Sequence, residues 1–243
     1  MAKLAAHGTR ILLDQYDISG YVNGFDLPFA QETPDVTSFA DAGPRRVVGN
    51  YDYSSSVLGF FDGADDAVDE ILHGLLANES DHYLTKLPGA SAEGGIAYDL
   101  LVSLTRKPLS AATGGAVLLN IESAGRNGAV RGHILGNLTS TGAGNRAGVN
   151  QGVKASGVVY AVIFRVLSFT GTNITLKIQE SSDDGAGDAY ADVASLTSGA
   201  LTAIGVVRAT TTAAMEAWRR LNISGTFTSV AVRVTAGVVA GSA

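Results

Sequence analysis

The sequence predicts a mainly β protein made of two successive sandwich-type domains with a single helix. Hydrophobic residues make up 46% of the 243 residues, aromatics only 7%, and glycines number 30. With long runs of Val, Thr, Ser and Ala, that is the balance of many strands joined by turns. Segments of alternating polar and apolar character recur along the chain, as half-buried strands require. The composition shifts at Gly136–Gly152 to Gly, Asn, Thr and Ala. A chain of this length can hold two modest cores, so the expected division is 1–136, containing the helix, and 137–243, a jelly-roll-like β-sandwich.

In the first part, the runs 9–13, 21–30, 53–61, 98–106, 117–123 and 129–135 are bounded by Gly, Asp, Asn or Pro, which punctuate strands. Tyr98, Leu100, Val102 and Leu104 share one face, and Val117, Leu119 and Ile121 lie opposite Leu118, Asn120 and Glu122, giving each strand one mainly buried side. A helix is expected over about 63–77: Asp62 is placed to cap it, and Val68, Ile71, Leu72, Leu75 and Leu76 form one apolar stripe. Asp65, Asp66, Asp69 and Glu70 crowd its first half, where the positive end of the helix dipole stabilises carboxylates. This acidic run therefore reads as helix chemistry and not as a site. From Gln31 to Asn50 runs a stretch rich in Thr, Asp, Gly and Pro, with the pair Arg45-Arg46. It exceeds an ordinary hairpin loop, and long ordered loops in compact domains are commonly functional.

In the second part, 157–169 is apolar on both faces, as in a strand at the middle of a sandwich, whereas Ile174, Leu176 and Ile178 alternate with Thr175, Lys177 and Gln179. Thr170-Gly171-Thr172-Asn173 is expected to turn these two strands into a hairpin. Strands are also expected at 203–208, 218–223 and 227–234, with Val230, Val232 and Val234 facing in; 211–220 is open to strand or short helix.

No constellation of catalytic residues emerges. The absence of cysteine excludes disulfides, thiolate zinc sites and thiol catalysis. There is no Walker A sequence, no His-Glu-x-x-His and no Gly-x-Ser-x-Gly elbow. Gly142–Gly148 misses the dinucleotide fingerprint by one residue of spacing and follows no βα unit, so it reads as a connector. His7, His73, His82 and His133 stand singly, without metal-ligand spacing. Asp183, Asp184 and Asp188, with Asp192 nearby, gather carboxylates on a turn. They lack the calcium-loop pattern and its terminal Glu, which favours a plain hairpin loop. No catalytic residue, metal or cofactor is assigned, and the expectation is a protein that is not an enzyme.

The first ten residues place His7 and Arg10 where a signal peptide needs its apolar stretch, so the chain is expected to be unexported. The longest apolar run, 157–167, contains Arg165 and falls short of the roughly 20 residues that cross a bilayer. Net charge is −6. Residues 1–136 hold 9 basic and 17 acidic residues (−8) and 137–243 hold 8 and 6 (+2). An acidic first part argues against gripping nucleic acid by its phosphates, though not against lying beside it.

The first part resembles the tail tube proteins of long, non-contractile, siphophage-type phage tails. The resemblance is carried by Tyr16-Asp17-Ile18-Ser19-Gly20-Tyr21-Val22-Asn23, by Glu32-Thr33 with Asp35-Val36-Thr37-Ser38-Phe39, and by Asp41-Ala42-Gly43, Arg45-Arg46 and Gly49. Gly59-Phe60-Phe61-Asp62 then leads into the helix. Ala40 departs from the pattern, standing where many such proteins carry Gly. The second part is similar to the added outer sandwich of some such proteins, through 160–169 and 175–182. The resemblance implies a tail-tube-type, barrel-forming first domain, with hexameric rings that stack into a tube in the virion tail, assembled in the host cytoplasm. It implies tape-measure, tail-terminator and tail-tip proteins as partners, DNA passing through the lumen without specific binding, and no membrane. Ring stacking falls by analogy to the loop residues Asp35, Thr37, Phe39, Asp41, Arg45 and Arg46. An outer second domain would leave room for weak glycan contact. The same composition suits a capsid decoration or fibre-base protein. A carbohydrate-binding module would need an exposed aromatic platform, for which the second part offers only Tyr160, Tyr190 and Trp218 besides its phenylalanines.

Overall fold

The computed structural model describes residues 8–31, 33–47, 51–65, 67–77, 80–89, 92–111 and 115–240. Its elements in chain order are β1 (Arg10–Leu13), β2 (Tyr16–Asp17), β3 (Val22–Asp26), β4 (Phe29–Gln31), β5 (Tyr51–Phe60), α1 (Val68–Leu76), β6 (His82–Leu87), β7 (Ile96–Arg106) and β8 (Leu109–Ala111). There follow β9 (Val117–Ser140), β10 (Gly144–Asn145), β11 (Val149–Asn150), β12 (Tyr160–Ser181), β13 (Ala191–Leu201), β14 (Gly205–Thr211) and β15 (Trp218–Val239). The protein is thus mainly β with a single helix among the described residues. It separates into a smaller unit, Tyr21–His82 with Leu101–Ala129, and a larger one, Met1–Gly20 with Tyr83–Leu100 and Val130–Ala243.

In the smaller unit, β5 pairs antiparallel with β9 along Ser54–Phe60, with β3 along Ser56–Gly59 and with β4 along Tyr51–Tyr53. Its side chains alternate cleanly: Tyr53, Ser55, Val57 and Gly59 are buried while Ser54, Leu58 and Phe60 are exposed. The Tyr53 hydroxyl donates to the Leu101 carbonyl at 2.8 Å. Gly125 makes room for that ring, since a Cβ there would lie 2.6 Å from it. Gly125 and Gly128 lie within β9, which runs unbroken where two strands were expected.

The helix α1 buries Val68 and Leu72, members of the expected stripe, but it is shorter than 63–77. Asp62 does not cap it. Its N-cap is Ala67, which makes no side-chain cap bond, while the Asp62 carboxylate accepts the Ala64 N–H at 3.1 Å and closes a separate turn upstream. Lys107 holds the first turn, its ammonium 2.5 Å from the Asp69 carboxylate.

The larger unit is organised by β12 and β15, each of 22 residues, which pair antiparallel from Tyr160↔Val238 to Ser181↔Trp218. The other edge of β12 takes β14 along 160–166 and β13 along 174–180. The other edge of β15 takes β9 along 230–239 and the short β10 and β11 along 218–223. Both halves contribute to one core: Val162, Phe164, Val166, Val230, Val232 and Val234 from one, Ile174, Leu176, Ile178, Leu221 and Ile223 from the other. The same two long strands therefore bend over to make both layers of the sandwich.

That geometry corrects the expected hairpin at 170–173. The strand continues through Thr170-Gly171-Thr172-Asn173 and takes register shifts between Val166 and Asn173. Gly225, at φ 123°, sits opposite, and the Asn173 side-chain oxygen accepts the Thr226 N–H at 3.2 Å. The Gly and Asn residues mark bulges that bend a paired ribbon and do not end it. The stretch 136–152 is likewise no free connector, because Gly136–Ser140 belong to β9 and β10 and β11 add to the edge of β15. Residues 211–220 form no helix; Met215 makes an isolated bridge with Lys154.

β12 is buried on its second face as well, through Ala161, Ile163 and Arg165. Arg165 is wholly buried: its Nε donates to the Asp14 carbonyl at 2.9 Å, and Nη1 lies 3.5 Å from the Asp99 carboxylate. Asp99, also buried, accepts from the hydroxyls of Thr85 and, at 2.8 Å, Thr235. Burial pushes the guanidinium pKa down while Asp99 and then Asp14 push it back, and the group stays charged. The expected cut after 136 falls inside β9 and would separate Arg165 from Asp14 and Asp99.

Candidate assembly surface

The loop after β4 is a small self-braced prong. Asp35 and Arg46 pair backbone to backbone as an isolated antiparallel β-bridge, the Val36 N–H donates to the Arg45 carbonyl at 2.9 Å, and the Val47 N–H donates to the Pro34 carbonyl at 3.1 Å. The Asp35 carboxylate accepts the Thr37 N–H at 2.9 Å and also the Thr37 hydroxyl, whose oxygen in turn accepts the Arg45 N–H at 2.8 Å. At the tip, the Asp41 carboxylate accepts the Ser38 N–H at 2.7 Å and its hydroxyl at 2.8 Å, and the Asp41 N–H returns to the Ser38 carbonyl. These are local Asx-type bonds of the kind that make a loop rigid without a core. Hydrogen bonds from Thr37 hold Asp35, and those from Ser38 hold Asp41, below the ordinary carboxylate pKa.

The structure links Asp35 and Thr37 to Arg45 and Arg46 and ties Asp41 to Ser38, while Phe39 makes none of these bonds. Asp35, Thr37 and Asp41 bond to the loop's own backbone or hydroxyls, whereas Phe39 stands free with a relative exposure of 114%; Val36 and Val47 of the same loop are exposed at 45% and 48%. Arg45 and Arg46 are exposed beside them. The smaller unit also exposes Leu58, Phe60, Phe61, Leu109 and Val117; Val117 departs from the buried face expected for it with Leu119 and Ile121. Leu58 and Phe60 lie on the outward face of β5. Their signal was the alternation of that strand, but Tyr53 and Val57 on its other face are equally apolar, so sequence alone does not say which side is wet.

The charge asymmetry follows the units. The smaller one holds 5 basic and 13 acidic residues, net −8, and the larger holds 12 and 10, net +2. In the larger unit, the acidic loop at 183–188 spends its carboxylates on its own backbone: Asp183 accepts the N–H groups of Ala186, Gly187 and Asp188 at 2.6–3.1 Å, and Asp184 accepts the Tyr190 hydroxyl at 2.6 Å. Asp192 is paired with Lys177 at 2.8 Å. Of the four histidines, His7 lies outside the described residues, and His82 is buried with its ring 3.2 Å from the Leu75 carbonyl.

No model of a known protein family matches the chain, and no curated protein matches it. Solved structures are similar to it in part. A chain from the virion of a native gene transfer agent particle matches over 52% of this chain and 97% of its own, at 20% identity and a TM-score of 0.43. The SPP1 tail tube matches over 53% and 78%, at 12% identity and a TM-score of 0.45. The SPP1 Dit protein, described as a hub of the adsorption apparatus in phages infecting Gram-positive bacteria, matches over 94% and 98%, at 12% identity and a TM-score of 0.39. These are likenesses of fold alone.

Proposed function

We propose that this chain is a structural virion protein that polymerises as stacked hexameric rings into the tube of a phage tail, with the loop at 31–50 making the ring-to-ring contact. The observation that supports this most directly is the prong itself. Its hydrogen bonds hold Phe39 entirely in solvent, at a cost that burial against another subunit would recover. The motif order from Tyr16 to Asp62 supports the same reading. Strands β3 and β4 pair only with β5 among the described residues, leaving backbone edges that a neighbouring subunit can complete, which is how closed assemblies remove exposed edges. The net −8 of the smaller unit suits a wall along which a polyanion slides without counterion release. In this reading tape-measure, tail-terminator and tail-tip proteins are the partners, DNA is cargo, residues 137–243 face outward, and no chemistry is catalysed.

Phe39→Ser tests the loop. Because Phe39 is fully exposed, the subunit should fold and melt as before. Losing the burial of one Phe, about 1.5–3 kcal/mol, should weaken each longitudinal contact roughly ten- to a hundredfold, read as shorter particles by sedimentation. Deleting Asp35–Pro44 should leave a folded subunit that does not elongate. Tubes of normal length from the deletion would remove the loop from the assembly.

A further inference from the structure

The larger unit contains a cavity of about 260 Å³ whose wall carries Arg131 and His133 from β9, Lys154, Gln151 and Tyr160 from the segment around the start of β12, and Arg219 from β15. No Asp or Glu lines it. Two of its cations are buried, Arg219 at 1% and Lys154 at 5% relative exposure. Buried charges are normally paired, because desolvating a lone one is costly. Here they are not. Arg219 donates to the Gln151 side-chain oxygen at 3.3 Å and the Gly152 carbonyl at 3.0 Å, and its guanidinium lies 4.9 Å over the Tyr160 ring. Its Nε has no partner, and neither has the Gln151 side-chain nitrogen. The Lys154 ammonium is met by the carbonyls of Val158 at 2.8 Å and Ala155 at 3.2 Å. Glu180 acts on Lys154 at longer range, but it does not line the cavity, and its carboxylate accepts the Glu216 N–H at 3.0 Å.

We infer that this cavity is a binding site for an oxyanion carried on a small polar body, such as a phosphorylated or carboxylated monosaccharide. A wall that gathers Arg131, His133, Lys154 and Arg219 and holds no carboxylate supplies what an oxyanion needs, and charge-assisted bonds of this kind are the strong ones. The volume lies just below the roughly 300–1,000 Å³ of drug-sized pockets, which suits one sugar-sized group. The Tyr160 ring and Val153 provide apolar wall for such a body. Burial first, then Arg131 and Arg219, lower the pKa of His133, and burial and Arg219 lower that of Lys154, the direction a site awaiting negative charge shows. This inference stands apart from tail assembly, since it uses neither the prong nor self-association.

Titration of the full chain with inorganic phosphate, glucose 6-phosphate, glucuronate and neutral glucose tests it. The anions should bind saturably and more weakly as salt rises, glucose should not bind, and the imidazole pKa of His133 should rise by NMR when phosphate is bound. Arg131 is exposed, so Arg131→Gln should leave folding intact and weaken binding at least fivefold; Arg219→Gln should abolish it. Tighter binding of glucose 6-phosphate assigns a phosphate site and tighter binding of glucuronate a carboxylate site, both within the inference. Absence of saturable binding by every anion, or unchanged binding and an unchanged His133 pKa response in Arg131→Gln, would overturn it.

Discussion

Replacing Arg165 by Met is expected to destabilise the larger unit by about 3–5 kcal/mol, the usual loss when one partner of a buried ion pair is removed. Asp99 would be left buried with its cation gone, and one of its carboxylate oxygens already lacks a partner. The carbonyl of Asp14 and the hydroxyl of Thr85 would also lose the donors that Arg165 supplies. Urea denaturation followed by tryptophan fluorescence reads the change, since the single Trp, Trp218, begins β15 in the same unit. A loss under about 1 kcal/mol would show that water or relaxation replaces the pair and that the cluster is incidental. Arg165→Lys should recover only part of the loss, because an ammonium cannot reproduce a planar fork that reaches Asp14, Thr85 and Asp99 together.

The second large effect is expected at the cross-strand pair Gly132↔Gly237 of β9 and β15. A Cβ on Gly132 would sit 2.0 Å from the Ala236 carbonyl oxygen, and one on Gly237 would sit 2.4 Å from that of Arg131. The obstacle is backbone on both sides, with no flexible side chain to give way. Gly132→Ala should therefore force the two strands apart and cost about 3 kcal/mol, the upper end for overpacking. Gly142→Ala is the matched control, because a Cβ there meets nothing within 4 Å; its change should stay within about 0.5 kcal/mol. Thermal melts of the two variants separate the effects, and equal melting temperatures would refute the close approach.

Periodicity was legible wherever a segment reports on itself. The stripe of α1, the burial of Leu100 and Val102, the burial of Leu119 and Ile121 and the two-sided burial of Tyr160–Val166 all followed from local pattern. What the sequence concealed was non-local. Arg165 reads as an interruption of an apolar run, because its partners lie 66 and 151 residues away. Asp99 and Ala97 are buried although they lie opposite the apolar face expected for β7, since Arg165 and Thr235 come to meet that side. Gly and Asn at 170–173 give the same local signal for a turn as for a bulge, and only the full pairing with β15 decides between them. For the candidate surface, length and composition located the loop, but the bonds that leave Phe39 bare depend on which carboxylates turn inward. The cationic cavity gathers Arg131, Lys154 and Arg219 from distant segments and leaves no spacing to read.

Negative-stain microscopy of the purified full chain over a range of concentrations tests the central claim most directly. Self-assembly through the smaller unit predicts rings that show sixfold symmetry end-on and stack into tubes as concentration rises. Discrete trimers or featureless monomers at every concentration would contradict it and point to a decoration, fibre-base or solitary binding role.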